Sequence, residues 1–306
     1  MQRAVVALGG NALLGSDEAT TDPNQREHAR ETVDALDALV ERGFDLVLTH
    51  GNGPQVGSLL LEQSAADVPE RPLDVLVAET QAQVGYVVAS EFERVMDART
   101  VTVLTRVRVD ADDPAFDAPS KPIGPYYDRD EAAALDFETA RVQTPGGEPA
   151  SRRVVPSPNP TSVVEAEEIR TLVEDGATVV CGGGGGVPIV DDGQATRGVE
   201  AVVDKDHTSR LIADVTDAAL LVMVTDVPCA SREFGTPEQE ALRTLSTERA
   251  QQLLDAGEFA DGSMAPKIGA CIDFVAGPGP GDRAVICDRT NLSEALDESG
   301  GTTITR

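Results

Sequence analysis

Lysine is almost missing from this 306-residue chain. Of its 25 basic residues 22 are arginine, and the three lysines are Lys121, Lys205 and Lys267. Tryptophan is absent and aromatic residues make up 3%, which argues against the aromatic stacking platforms that bind single-stranded nucleic acid. Positive charge is scarce: 53 acidic residues leave a net charge of −28, with no basic patch to release counterions from a polyanion. Long apolar runs are lacking too. The longest, Ala218 to Val224, is strand-sized and far short of the ~18 residues of a membrane span. The stretch AVVALGGNALLG after Arg3 is a poor signal peptide, because GGN interrupts it and no small-residue cleavage site follows. Cys181, Cys229, Cys271 and Cys287 stand far apart with no C-x-x-C, and His28, His50 and His207 show no metal-ligand spacing. Buried free thiols in a reducing cytoplasm are expected, without a transition-metal site.

What is present suffices for a core. Apolar residues reach 41% before 28 glycines are added, so the chain is globular despite its charge. A strongly negative surface with few lysines is what a salt-rich cytoplasm favours, since carboxylates keep a protein soluble where salt screens charge. Each remaining lysine is then expected where arginine cannot serve, because a compact ammonium on a flexible stem differs from a planar guanidinium fork.

Short apolar strands alternate with amphipathic helices. Strands are expected at Arg3–Leu8, Phe44–Thr49, Thr100–Val107, Ala177–Cys181, Ala219–Val224 and Arg283–Cys287. Helices are expected at Asn24–Arg42, from Pro54, and at Leu73–Asp97, Val163–Asp175, Lys205–Asp214, Thr247–Gly257 and Met264–Ala276. The alternation indicates an α/β fold with a mainly parallel sheet. Asp110 to Pro160, with nine prolines, reads as an irregular excursion, a small subdomain or lid. A two-lobed unit with a crevice at the carboxyl ends of the strands follows.

Three glycine-rich segments directly follow expected strands: Gly9-Gly10-Asn11, Gly51-Asn52-Gly53 and Gly182 to Gly186. At such junctions outward-pointing amides, backed by a helix dipole, cradle anions. The five-glycine run is costly to order and is not expected to be explained by packing. No P-loop motif and no protein-kinase signature is present. Gly51-x-Gly53-x-x-x-Gly57 only approaches a dinucleotide fingerprint.

Lys205 and Lys267 lie at or near expected helix N-termini, where a cation opposes the dipole unless an anion sits between. Lys205 is flanked by Asp204 and Asp206, which can hold its ammonium or a metal ion. Lysines beside glycine anion loops, without a Ser–His–Asp or Cys–His nucleophile, suit phosphoryl transfer, which needs positioning and charge neutralisation.

The segments VVALGGNALL, THGNGPQVG, KPIGPYY, RRVVPSPNP, CGGGGGVPIV, GVEAVVDKD and GSMAPKI, in this order and at these separations, resemble the carbamate kinases of the amino-acid kinase superfamily over essentially the whole chain. The resemblance implies a three-layer α/β/α sandwich with an open, mainly parallel central sheet and a small protruding subdomain at about 112–152. It implies one domain over 1–306, with residues 1–160 forming the carbamate lobe and 161–306 the nucleotide lobe. It further implies a cytoplasmic homodimer and reversible phosphoryl transfer between ATP and carbamate with Mg²⁺, running toward ATP in arginine fermentation.

By the same resemblance, Gly9, Gly10 and Asn11, with Gly51, Asn52 and Gly53, hold carbamate and the transferring phosphoryl group. Lys121 reaches in from the protruding subdomain. Lys205 and Lys267 contact nucleotide phosphates and transition-state charge, and Asp206 orients the lysines. Gly183, Gly184, Gly185, Thr225, Asp226 and Met264 line the nucleotide site, and no protein ligands to a metal are implied. The chain departs from the family at Thr225-Asp226-Val227-Pro228-Cys229-Ala230, where an aspartate and an aromatic tend to flank adenine, and at His207, where an apolar residue is expected. Another small-carboxylate kinase of the superfamily, a nicotinamide oxidoreductase and a non-catalytic nucleotide sensor stay open as rivals.

Overall fold

The computed structural model describes residues 2–9, 13, 21–65, 69–144, 146–191, 193, 195–260 and 263–306. The first half runs β1 (Gln2–Leu8), α1 (Asp22–Val40), β2 (Phe44–His50), α2 (Gly53–Ala65), α3 (Leu73–Met96), β3 (Thr100–Thr102) and β4 (Arg106–Val109). A proline-rich stretch follows, with β5 (Lys121–Tyr127), α4 (Arg129–Ala133), β6 (Thr139–Gln143), β7 (Pro149–Val155) and β8 (Pro160–Val163). Next come α5 (Ala166–Glu174), β9 (Thr178–Val180), β10 (Val187–Asp191), β11 (Thr196–Gly198), α6 (Lys205–Val215) and β12 (Leu220–Thr225). The chain closes with β13 (Ser231–Arg232), β14 (Glu240–Ala241), β15 (Thr244–Ser246), α7 (Thr247–Asp255), α8 (Met264–Ala276), β16 (Arg283–Asp288), α9 (Leu292–Leu296) and β17 (Thr302–Thr305).

The central sheet has the order β15-β17-β16-β12-β1-β2-β9-β3. Six neighbours, β16 to β3, are mutually parallel; β17 pairs antiparallel to β16, and β15 follows β17. Alternation within β1 shows why both faces are covered. Ala4, Val6 and Leu8 meet Val33 and Leu36 of α1 and Val88 and Phe92 of α3 in one buried cluster. Val5 and Ala7 belong to the other, with Ile169 of α5, Ile212 of α6 and Ile268 of α8. Period-two strands between period-3.6 helices make the expected three layers. Each such Val, Leu or Ile, once fully buried, contributes about 1.5–3 kcal/mol.

Several boundaries differ from expectation. The first helix starts at Asp22 because Thr21 Oγ1 accepts from Asn24 N (3.4 Å) and a proline occupies the first turn. The strand expected over Thr100–Val107 is two strands. At Thr105 the chain leaves the central sheet, held by bonds from Thr105 N to Gln81 Oε1 and from Gln81 Nε2 to Thr105 O. It then joins a second sheet, β11-β10-β4-β8. Val163 ends β8 rather than opening a helix, and α5 begins at Ala166. The proline-rich excursion is not irregular: it carries an antiparallel sheet, β5-β7-β6. All four cysteines are free and buried, as expected.

The chain moves outward from β1 to β2 on one side and returns to β12 on the other. This reversal of strand order falls at the carboxyl ends of β1, β2 and β12, the place where open α/β sheets form a ligand crevice.

Candidate active site

The glycine segments sit where strands end at this crevice. Gly9 N donates to Val224 O (3.0 Å) and Gly51 N to Leu8 O (3.0 Å), so both residues continue the ladder past the strand ends. Gly9 cannot carry a side chain, since a Cβ there would lie 2.9 Å from Val224 O. Gly53 opens α2, which aims the first amides of that helix at the crevice. Gly10 and Asn11 lie outside the described residues.

Two side chains at the junction of β2 with the second segment point inward. Asn52 is buried and its Nδ2 donates to Thr80 Oγ1 (2.9 Å) on α3. His50 is buried and its Nδ1–H donates to Gly51 O (2.9 Å), since a carbonyl only accepts. Burial, helped by the nearby Lys205 charge, lowers the His50 pKa to about 4, so the imidazole is neutral near pH 7.

The five-glycine run has a packing explanation after all. Gly182 to Gly186 are all buried. A Cβ on Gly183 would lie 2.5 Å from His50 Cε1, and one on Gly184 would lie 2.2 Å from Asn52 Nδ2. On Gly185 it would lie 2.1 Å from Val203 O. The run is the floor on which the second glycine segment and the approach to α6 rest. Close contact therefore requires glycine here, and φ between +61° and +87° at four of the five favours it further.

The three lysines converge from three distant parts of the chain. Lys121 opens β5, and its Nζ donates to Asp204 Oδ2 at 2.6 Å. Lys205 and Lys267 both donate to Asp206, Lys205 to Oδ1 and Lys267 to Oδ2 at 3.1 Å. Lys267 also donates to Ser263 O (3.0 Å). The Asp206 side chain is 3% exposed and those of Lys205 and Lys267 are each 12% exposed, so this triad is largely shielded from solvent screening.

Local sequence explains the arrangement. Asp204 caps α6, with Oδ1 accepting from Asp206 N (2.9 Å). The helix thereby begins at Lys205 and turns Asp206 inward. Met264 and Lys267 share the first turns of α8, where Met264 packs against the core.

The electrostatics follow from burial and charge. Burial pushes the Asp204 carboxyl up, but the Lys121 ammonium outweighs it and holds the pKa down at about 2. Burial lowers the Lys205 pKa, with Lys267 adding to the effect and Asp206 opposing it. A poised group of cations held by two carboxylates, beside backbone amides, can neutralise an anion whose charge shifts during reaction.

The other expected site residues are placed as follows. Thr225 ends β12 next to Gly9: a Cβ on Gly9 would lie 3.8 Å from Thr225 Cα. Asp226 is exposed in the following turn, and His207 is half-buried on α6. Sequence reasoning gave Asp204 to Lys205, whereas it binds Lys121, 83 residues away. Nothing local to the GVEAVVDKD segment announces that partner.

Residues 2–288 match the Amino acid kinase family. The chain belongs to that family. Within it the chain groups with carbamate kinases: it is 49% identical over 305 residues to the carbamate kinase of Halobacterium salinarum, covering 99% of this chain and 98% of that one. A crystal structure from Aeropyrum pernix K1 superposes with a TM-score of 0.89 at 37% identity, covering 99% of both chains. Carbamate kinase from Giardia lamblia bound to AMP-PNP gives a TM-score of 0.88 at 33% identity, covering 99% of this chain and 98% of that one. These amino acid kinase family structures share the three-layer architecture and mainly parallel sheet described above.

Proposed function

We propose that this member of the amino acid kinase family catalyses reversible phosphoryl transfer between ATP and carbamate. The observation that carries this reading is the convergence of Lys121, Lys205 and Lys267 on two neighbouring aspartates at the start of α6. In the direction of ATP synthesis a β-phosphate oxygen of ADP attacks the phosphorus of carbamoyl phosphate. The bond from phosphorus to the carbamate oxygen breaks, and carbamate leaves as a carboxylate. Nucleophile and leaving group are both ionised near neutral pH, so no proton moves in the transfer step. A site without a general base suits that reaction. Its task is to align two anions and absorb the charge that shifts between them.

Each lysine supplies one part. Lys121, from the subdomain side, meets the phosphoryl group with the carbamate half. Gly53 at the start of α2 aims its amide at it, and Gly9 and Gly51, whose own amides are held by Val224 O and Leu8 O, let it approach the backbone closely. Lys205 and Lys267, fixed by Asp206, neutralise the nucleotide phosphates and the moving charge. Removing one donor of this kind typically costs on the order of 10²–10³ in rate.

Mg²⁺ fits as an ion carried by the nucleotide. Among the described residues no three His, Cys, Asp or Glu side chains form a metal cage, and Asp204 and Asp206 are already engaged by ammonium groups. Phosphate oxygens and water would hold the ion, which would supply charge neutralisation.

ATP synthesis in arginine fermentation, a salt-rich cytoplasm and a homodimer complete the reading. Among the described residues no helix is long and apolar enough to cross a membrane. The sparse lysine and net charge of −28 support the salty setting. Val75 and Tyr86, exposed on α3, supply apolar surface for a partner.

The test is ATP formation from ADP and carbamoyl phosphate in molar KCl. Robust turnover is expected, with none from ATP and acetylglutamate. A folded protein that forms no ATP overturns the reading.

A further inference from the structure

Lys121 and Asp204 form a pair unlike the rest of the lysine cluster. Lys205 and Lys267 share one deeply buried carboxylate, whereas among the described residues Lys121 is the one ammonium within ion-pair distance of Asp204, which Lys205 reaches only by its longer-range field. The Lys121 side chain is 26% exposed against 12% for each of the others. Asp204 uses its two oxygens differently. Oδ1 is fixed by capping α6, while Oδ2 takes the ammonium that arrives on β5.

The surroundings show what the contact links. Lys121 belongs to the β5-β7-β6 sheet, and Asp204 belongs to the segment that leads into α6. The same segment meets the subdomain twice more. Glu200 Oε2 lies 3.7 Å from Arg153 Nη2 on β7, and Val202 N donates to Pro156 O (3.0 Å). Glu200 Oε1 also accepts from Leu73 N (2.8 Å), which anchors the segment to the start of α3. One side of the segment thus holds the subdomain, and its end carries Lys205 and Asp206.

We propose that Asp204 is the resting counter-ion of Lys121, and that the phosphoryl group of the incoming substrate displaces it. This inference rests on the proposed phosphoryl transfer. Asp204 is held by the helix it caps and stays in place, while Lys121 has a flexible four-carbon stem and moves. The pair keeps the ammonium pointed into the crevice when no substrate is bound. It also makes the substrate compete with a carboxylate, so part of the interaction with Lys121 is absent from ground-state binding. Asp204 is a positioning residue in this scheme, since it acts on substrate through Lys121.

Asp204→Asn tests this, because asparagine caps a helix as well as aspartate but carries no charge. Binding of carbamoyl phosphate without ADP, measured by calorimetry, needs no turnover. The substitution is expected to tighten it by about two- to fivefold, the range for a partly exposed ion pair. Asp204→Ser, a second uncharged cap, should do the same, and the gain should vanish in a Lys121→Ala background. Glu200→Gln, which removes the contact to Arg153 and leaves Lys121 paired, should give no gain. Unchanged or weaker binding in both capping variants overturns the proposal. So does a gain that persists without Lys121, or an equal gain from Glu200→Gln, which would point to general loosening of the subdomain. ATP formation by the wild type in the same preparation separates the two levels. A wild type without turnover defeats the functional reading, whereas an active wild type with no gain in the variants defeats only the counter-ion role.

Discussion

Asp206→Asn should abolish practical turnover, lowering kcat by about 10³-fold or more, and should also destabilise the ligand-free protein. The carboxylate is 3% exposed and holds the ammonium groups of Lys205 and Lys267 together. An amide of the same shape leaves two neighbouring cations facing each other without a counter-charge. Removing one partner from a buried pair costs about 3–5 kcal/mol. Two consequences distinguish this from simple loss of packing. Burial and Lys267 already lower the Lys205 pKa, and Asp206 opposes them. Without that opposition the pKa falls further, so the alkaline limb of residual activity moves to lower pH. In addition, ADP should recover part of the lost thermal stability, because its phosphates replace the missing anion. A variant with near-normal kcat, or one whose melting temperature ignores ADP, contradicts the role assigned to Asp206.

Gly185→Ala should cost far more than an alanine at a glycine of positive φ that faces open space. Gly185 has φ +85°, and its Cβ would lie 2.1 Å from Val203 O and 2.7 Å from Val203 C. These are backbone atoms one residue before the cap of α6, so they cannot yield without moving Asp204 and Lys205. Left-handed strain and overpacking each cost about 1–3 kcal/mol, together a large part of the ~5–15 kcal/mol that holds a domain folded. Gly43 is the control: its φ is +80° with nothing within 4 Å, so Gly43→Ala carries backbone strain alone, about 1–2 kcal/mol. Chemical denaturation of both variants measures the difference. Equal losses would mean that contact with the Val203 backbone contributes nothing.

The six parallel strands and both helix layers were legible because burial imposes a period on each element. The proline-rich stretch was misread because prolines argue against strands in general, while an edge strand tolerates them. Pro122 and Pro125 lie on β5, an edge of the β5-β7-β6 sheet, and Pro149 is the first residue of β7. The break at Thr105 was hidden because it depends on Gln81, a partner 24 residues earlier. In the same way the packing reason for the glycine run was hidden, since the side chains that demand its glycines, His50 and Asn52, stand more than 130 residues earlier in the chain.

The site itself was legible through scarcity. In a chain that uses arginine almost everywhere, the three retained lysines were the candidates for special chemistry, and the fold brings all three onto two neighbouring aspartates. Asp206 was accessible by its place beside Lys205. The pairing of Asp204 with Lys121 was not, because it is made where the β5-β7-β6 sheet meets the start of α6 and leaves no local pattern.

The central claim is that these positions require an ammonium on a flexible stem, and Lys121→Arg tests it most directly. The measurement is kcat for ATP formation from ADP and carbamoyl phosphate in molar KCl, for wild type and variant side by side. Charge is retained, so a site that needed only a positive field would keep its rate. A guanidinium fork is planar and broader than an ammonium, and it does not match both Asp204 and a phosphoryl oxygen from the start of β5. The expected result is a loss of about 10²-fold, the scale of one misplaced charge-stabilising group, with the melting temperature unchanged. A variant that turns over at the wild-type rate would contradict the claim.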